Sequence, residues 1–143
     1  LGTAAGAQSQ WERTHVGAAA PTARAEHALA EDFARRQIVL FGGRMATGQL
    51  LDDTWLWSGS SWQRALPVNR PPARRNAMLA WHSGRSRVVL FGGGIGQTGL
   101  SDQTWEWNGT SWTFRAVALR PPPRIRHRMA FDEVRGTTIL LEE

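Results

Sequence analysis

The sequence predicts an all-β protein built from a repeated unit of four short antiparallel strands. Three observations support this prediction. The chain repeats itself with a period of 50 residues, its short apolar runs are rich in β-branched residues and end at glycine, and no window has helical periodicity over several turns. A period of this length is typical of propeller blades or of helical arrays, and the strand composition favours blades.

The repeat contains no gap. Residues 24–73 and 74–123 are identical at 20 of 50 positions, which is far more than chance gives. The most informative matches combine a glycine doublet with spaced tryptophans, as in Phe41-Gly42-Gly43 and Phe91-Gly92-Gly93. The residues that define this structural motif are Gly42, Gly43, Trp55, Trp57 and Trp62 in the first copy, and Gly92, Gly93, Trp105, Trp107 and Trp112 in the second.

Each copy predicts four strands in the same order. The first covers residues around 28–30 and 77–81, and the second is an apolar run that ends at the glycine doublet, at 38–41 and 88–91. In the third strand, Trp55-Leu56-Trp57 and its later counterpart place both indoles on one face, because side chains alternate along a strand. Ser-Gly at 58–59 and Asn-Gly at 108–109 predict hairpin turns into a fourth strand.

The chain also holds parts of other copies. Arg124 continues the phase of Arg24 and Arg74, and Trp11 precedes Arg24 much as Trp62 precedes Arg74. The predicted organisation is therefore residues 1–23 as the tail of a preceding or split blade, 24–73 and 74–123 as two full repeats, and 124–143 as the first half of a third.

These motifs resemble the Kelch repeat family. In that family a Gly-Gly doublet closes the second strand, a variable loop follows, and a spaced aromatic pair comes next; Gly42-Gly43 with Trp55 and Trp62 fits this order. The resemblance covers residues 24–143 and implies a β-propeller of four-stranded blades. It gives little information about activity, because function depends on sites that vary among proteins of one fold.

The number of repeats determines whether the blades of this chain can close into a complete propeller ring. Closed propellers have about four to eight blades, and this chain carries about three at most. Three arrangements remain open: a fragment of a longer propeller, a subunit of a larger complex, or self-association. We favour a homodimer in which two three-blade chains form a six-bladed ring, since two-fold assemblies are the commonest oligomers. An unclosed stack would expose two apolar blade faces.

The amino-acid composition limits the kinds of partner and site that the chain can have. All 17 basic residues are arginine, and the net charge of +5 favours acidic partners. The chain has no cysteine, which excludes disulfides, thiolate nucleophiles and Cys-ligated metals and leaves the compartment undecided. No apolar run approaches the roughly 20 residues of a membrane helix, so we expect a soluble protein with no membrane partner. We expect neither a cofactor nor a metal site.

Long loops are the expected place for recognition. Strand order puts loops 44–53, 64–73, 94–103 and 115–123 at one end of the blades, and this end is rich in arginine. Arg24, Arg74 and Arg124 recur in phase, which favours a role in tying the start of each blade over ligand contact. The candidate binding residues are arginines that map to this end or its edge and do not recur in phase: Arg44, Arg64, Arg75, Arg115 and Arg126.

Catalysis is not predicted. Kelch-like propellers include copper radical oxidases, whose chemistry uses Tyr, Cys and His, and this chain has no Tyr or Cys. His27 and His127 share a repeat position, but Ala77 occupies it in between. The leading hypothesis is a non-catalytic propeller that binds an acidic protein or glycan. The alternatives are a part of a larger oxidase-like enzyme whose reactive residues lie outside this chain, and a polyanion or nucleic-acid binder. The arginine content suggests this last alternative, but the tryptophans give no support for single-strand binding because they are already committed to blade packing.

Overall fold

The structure is a computed structural model that describes residues 19–142. These residues form an all-β arrangement with two four-stranded antiparallel sheets, so the predicted class and strand number per sheet are confirmed. No helix among them is long and apolar enough to cross a membrane. The first sheet contains β1 (Ala28–Asp32), β2 (Gln37–Phe41), β3 (Thr54–Trp57) and β4 (Trp62–Ala65), in that order.

The second sheet repeats the first one period later. Its strands are β5 (Met78–His82), β6 (Arg87–Phe91), β9 (Thr104–Trp107) and β10 (Trp112–Arg115), and a single 3-10 turn at Ser83–Arg85 joins the first two. The third repeat contributes β11 (Arg128–Asp132) and β12 (Thr137–Leu141), which within the described range 19–142 pair only with each other. Among the described residues no sheet closes on itself.

One feature of the second repeat differs from the prediction of a plain loop. Residues 94–103 contain a small hairpin, β7 (Gly94–Ile95) and β8 (Gly99–Leu100), whereas loop 44–53 has only an isolated bridge between Arg44 and Leu50. Gly96, at φ +58°, supplies the left-handed turn of this hairpin.

The glycine doublets link one repeat to the next. Gly43 N–H donates to the Arg74 carbonyl at 2.9 Å, and Gly93 N–H donates to the Arg124 carbonyl at 2.9 Å. Gly42 has φ +66°, and a Cβ there would lie 2.7 Å from the Arg74 carbonyl oxygen. Glycine is therefore required twice over, by the left-handed backbone and by the close approach of the following repeat.

The main hydrophobic core lies between the two four-stranded sheets. Val39 and Phe41 of the first sheet pack against a second-sheet face that includes Val88 and Trp112. The Trp112 ring meets Phe41 edge-on at 5.4 Å, and its Nε1–H donates to Thr54 Oγ1 at 2.9 Å. The first strands of successive repeats, β1, β5 and β11, lie side by side, so the three sheets follow one another in a stack.

Candidate binding surfaces

The in-phase arginines are tied into the fold. Arg24 donates a hydrogen bond to the Gly42 carbonyl at 3.1 Å and two more to the carboxylate oxygens of Asp53 at 2.6 and 2.9 Å. Arg74 donates to the Gly92 carbonyl at 2.9 Å and to Gln103 Oε1 at 2.7 Å. We call these two arrangements the arginine clamps. They favour the structural reading of Arg24 and Arg74 over a role in ligand contact.

Each clamp contains a group whose pKa departs from its ordinary value. Burial alone would raise the pKa of Asp53, but hydrogen bonds from Arg24 and from the Trp55 indole outweigh it, and the pKa is lowered. Burial lowers the pKa of Arg74 to about 10, which still leaves the guanidinium protonated at neutral pH. Arg124 holds the third in-phase position, where it donates to the Pro122 carbonyl at 2.9 Å and pairs with Glu142.

Two of the five candidate arginines form ion pairs with the same carboxylate. Arg44 lies 3.1 Å from Glu26, and Arg75, from the next repeat, lies 3.9 Å from the same side chain. The backbone brings them there, because Ala25 pairs with Arg44 and Arg75 pairs with Gly94 across the starts of the repeats. Glu26 thus neutralises part of the positive charge that the sequence placed at this end of the molecule.

Arg115 lies apart from that cluster. It ends β10 and binds Glu106 at 2.7 Å, and Arg85 from the opposite end of the sheet binds the same carboxylate at 2.8 Å. Glu106 is buried and stands where the first repeat has Leu56. It forms the polar wall of a groove of about 400 Å³, whose apolar wall includes Phe91 and Leu140.

Arg64 and Arg126 differ from the other three candidates in having no ion-pair partner within the described residues. Both are exposed, and neither forms an ion pair with another residue of the described range 19–142. Arg64 lies on β4, the last strand of its sheet, while Arg126 precedes β11, a first strand. The structure therefore brings Arg44 and Arg75 together but does not gather all five candidates into one site.

A repeated turn beside Arg126 was missed by the sequence analysis. Glu26, Asn76 and Arg126 lie 50 residues apart, and all three have left-handed backbone, with φ of 60°, 52° and 58°. Asn76 N–H donates to the Glu26 carbonyl at 2.8 Å, which joins two of these turns directly. Their common phase could have revealed them, but three unlike side chains leave no motif to find.

The histidines offer little chemistry within the described part. His127 is buried against Phe91, with ring centroids 5.5 Å apart, and burial together with the nearby charge of Arg124 lowers its pKa. His82 stacks on Phe131 at 4.0 Å. Between residues 19 and 142, no three His, Asp or Glu side chains are grouped closely enough to hold a metal ion.

Comparison with known proteins adds no family assignment. No family model matches the chain, and no curated protein matches it.

Proposed function

We propose that the chain forms blades of a Kelch-type β-propeller. The 50-residue repeat, the four-stranded sheets and the glycine doublets that bond to the following repeat support this proposal. In this arrangement each chain supplies three blades, and two chains form a six-bladed ring. The Trp11 segment, as the outer strand of a split blade, lies outside the described residues.

The ring serves as a non-catalytic binding module for a carboxylate-bearing partner, either an acidic protein or an acidic glycan. One observation carries this proposal: the turn at residues 26, 76 and 126 keeps a left-handed backbone while its side chain changes from Glu to Asn to Arg. A non-glycine residue in this conformation costs on the order of 1–3 kcal/mol, and such strain clusters at functional sites. A backbone conformation that is kept while the side chain changes can present different side chains to a partner from the same position in each repeat.

Arg126 is the main contact in this proposal. Its guanidinium is exposed at the repeated turn, whereas Arg44 and Arg75 share Glu26. A guanidinium matches the planar geometry of a carboxylate through two parallel hydrogen bonds. Since the first strands of the repeats are neighbours, this proposal puts the three turns close to the ring axis, with Asn76 in the repeat next to that of Arg126.

Isothermal titration with three probes tests this function: an oligoglutamate peptide, an oligogalacturonate and a single-stranded oligonucleotide. We expect a carboxylate probe to bind, and Arg126→Glu to weaken it by about tenfold or more, because a charge-assisted hydrogen bond is lost and a repulsion added. Arg44→Glu should have a smaller effect, since Arg44 is already paired with Glu26.

Arg87→Glu is the matched control. It changes the net charge by the same amount, and the Arg87 side chain donates hydrogen bonds to the carbonyls of Arg85 and Ser86, at the other end of the blade. Equal losses in Arg126→Glu and Arg87→Glu would contradict the proposed site. Tightest binding to the oligonucleotide, with an affinity that falls steeply with salt, would support the polyanion alternative instead.

A further inference from the structure

The two complete sheets contact each other through two different faces, one from each sheet. The first sheet presents Val39 and Phe41, and the second sheet presents Leu79 and Val88, and all four side chains are buried there. Because the repeat is regular, the first sheet has a second face equivalent to the Leu79 side, and the third repeat has a face equivalent to the Val39 side. Both of these faces lie at the ends of the stack.

No described residue covers the face at the start of the stack. Leu29 and Ile38 correspond to Leu79 and Val88, 50 residues earlier. Leu29 is 49% exposed, whereas Leu79 is 4% exposed, and Ile38 is likewise exposed. Leu29 and Ile38 share one side of the β1–β2 pair, as their cross-strand register requires. We call this surface the head face.

The face at the other end is likewise left exposed by the part of the chain that the structure describes. Ile139 and Leu141 correspond to Val39 and Phe41, 100 residues later. Ile139 is 51% exposed, whereas Val39 is 0% exposed, and Leu141 is also exposed. Ala130, opposite Ile139 in the register, lies on the same side of the β11–β12 pair. We call this surface the tail face.

A turn at the edge of these faces shows the same asymmetry. At the interior contact, Arg35 of the first repeat lies so close to Gly109 that a Cβ there would collide with its guanidinium. The equivalent glycine of the head face, Gly59, has open space around it. The residue that corresponds to Arg35 at the tail end is Arg135. The head face therefore has room for the tail-end arginine of another unit.

We infer that the tail face of one copy packs on the head face of a second copy, in the geometry of the interior contact. This inference rests on the proposed two-chain ring and assigns its interface. A second copy is the fitting partner, because each end face is one half of a contact whose two halves are already complementary within the chain. Apolar strand faces of this kind mark association surfaces, and two such contacts related by a two-fold axis close the ring.

Light scattering behind a sizing column tests this interface on the 143-residue chain. We expect the unaltered chain to have twice the monomer mass of 15.9 kDa. Leu29→Lys and Ile139→Glu, each alone, should halve that mass, since either variant places a charge in both contacts. An equimolar mixture of the two variants should regain the dimer mass, because one contact then pairs Lys with Glu and the other is unaltered.

The two single variants separate this arrangement from other dimers. In a head-to-head dimer only Leu29→Lys dissociates the protein, and in a tail-to-tail dimer only Ile139→Glu does; either result would overturn the inference while leaving a two-chain assembly in place. An unaltered chain that is monomeric would overturn both the interface and the ring, without bearing on Arg126 and its ligand. Val68→Lys is the control: Val68 is exposed in the loop between the sheets, and its variant should stay dimeric. Circular dichroism confirms that each variant is folded.

Discussion

The two arginine clamps occupy the same position in successive repeats but bind different partners. Each donates to a carbonyl two residues earlier and to the glycine carbonyl 18 residues later. The side chain 29 residues later is Asp53 in the first repeat and Gln103 in the second. The first clamp is therefore an ion pair, and the second is a buried cation that binds neutral acceptors.

This difference teaches that the repeat fixes the cation and the backbone carbonyl, while the remaining acceptor is free to vary. The second clamp is the more deeply buried, and its lowered pKa reflects the cost of burying a charge without a counter-charge. The first clamp has a counter-charge but depends on keeping both partners. The two clamps should therefore respond differently to the loss of the arginine.

The largest effect is expected from Arg24→Met. It leaves the carboxylate of Asp53 without its cation, and removal of one partner from a buried pair typically costs about 3–5 kcal/mol of unfolding free energy. Arg74→Met leaves only neutral acceptors and also removes a buried charge, so we expect a loss of about 1–3 kcal/mol. Urea denaturation followed by tryptophan fluorescence gives both values. A loss in Arg74→Met equal to or larger than that in Arg24→Met would show that the counter-charge is unimportant.

A smaller effect concerns the pH dependence of stability. The folded-state pKa of His127 lies below its ordinary value, so the unfolded chain takes up a proton more readily than the folded chain. Stability is then fully present above about pH 6.5, the ordinary histidine value, and falls as the pH drops through it. His127→Ala, which copies Ala77 of the second repeat, should flatten this part of the curve. Unfolding free energies with an unchanged slope between about pH 5 and pH 7 would assign the dependence to other groups.

Much of the fold could be predicted from the sequence. The glycine doublets and paired tryptophans mark β2, β3, β6 and β9, because each element carries its own local signal. The hairpin at 94–103 was not predicted, since its strands are two residues long and its glycines hide any alternation. Short strands of this kind depend on tertiary contacts, here the bridge between Gly94 and Arg75, rather than on local preference.

The candidate surfaces were less predictable, because the charge on an arginine says nothing about its partner. Glu106 accepts hydrogen bonds from Arg115, nine residues later on β10, and from Arg85, 21 residues earlier in the turn before β6. In the second repeat His82 replaces the aspartate that pairs with Arg35 in the first, so Arg85 turns to Glu106. Such exchanges become visible only when the register of the sheet is known.

The most direct test of the clamp account is a double-mutant cycle in the first repeat, with Asp53→Gln as the second change. Gln103 shows that an amide fits this position opposite a clamping arginine. We expect Asp53→Gln alone to cost about 1 kcal/mol or less, since only the acceptor loses its charge while the hydrogen bond from the arginine is kept. In the Arg24→Met background the same change should recover most of the lost stability, because it removes the unpaired buried charge. No recovery in the double variant would contradict the claim that the first clamp acts through its counter-charge.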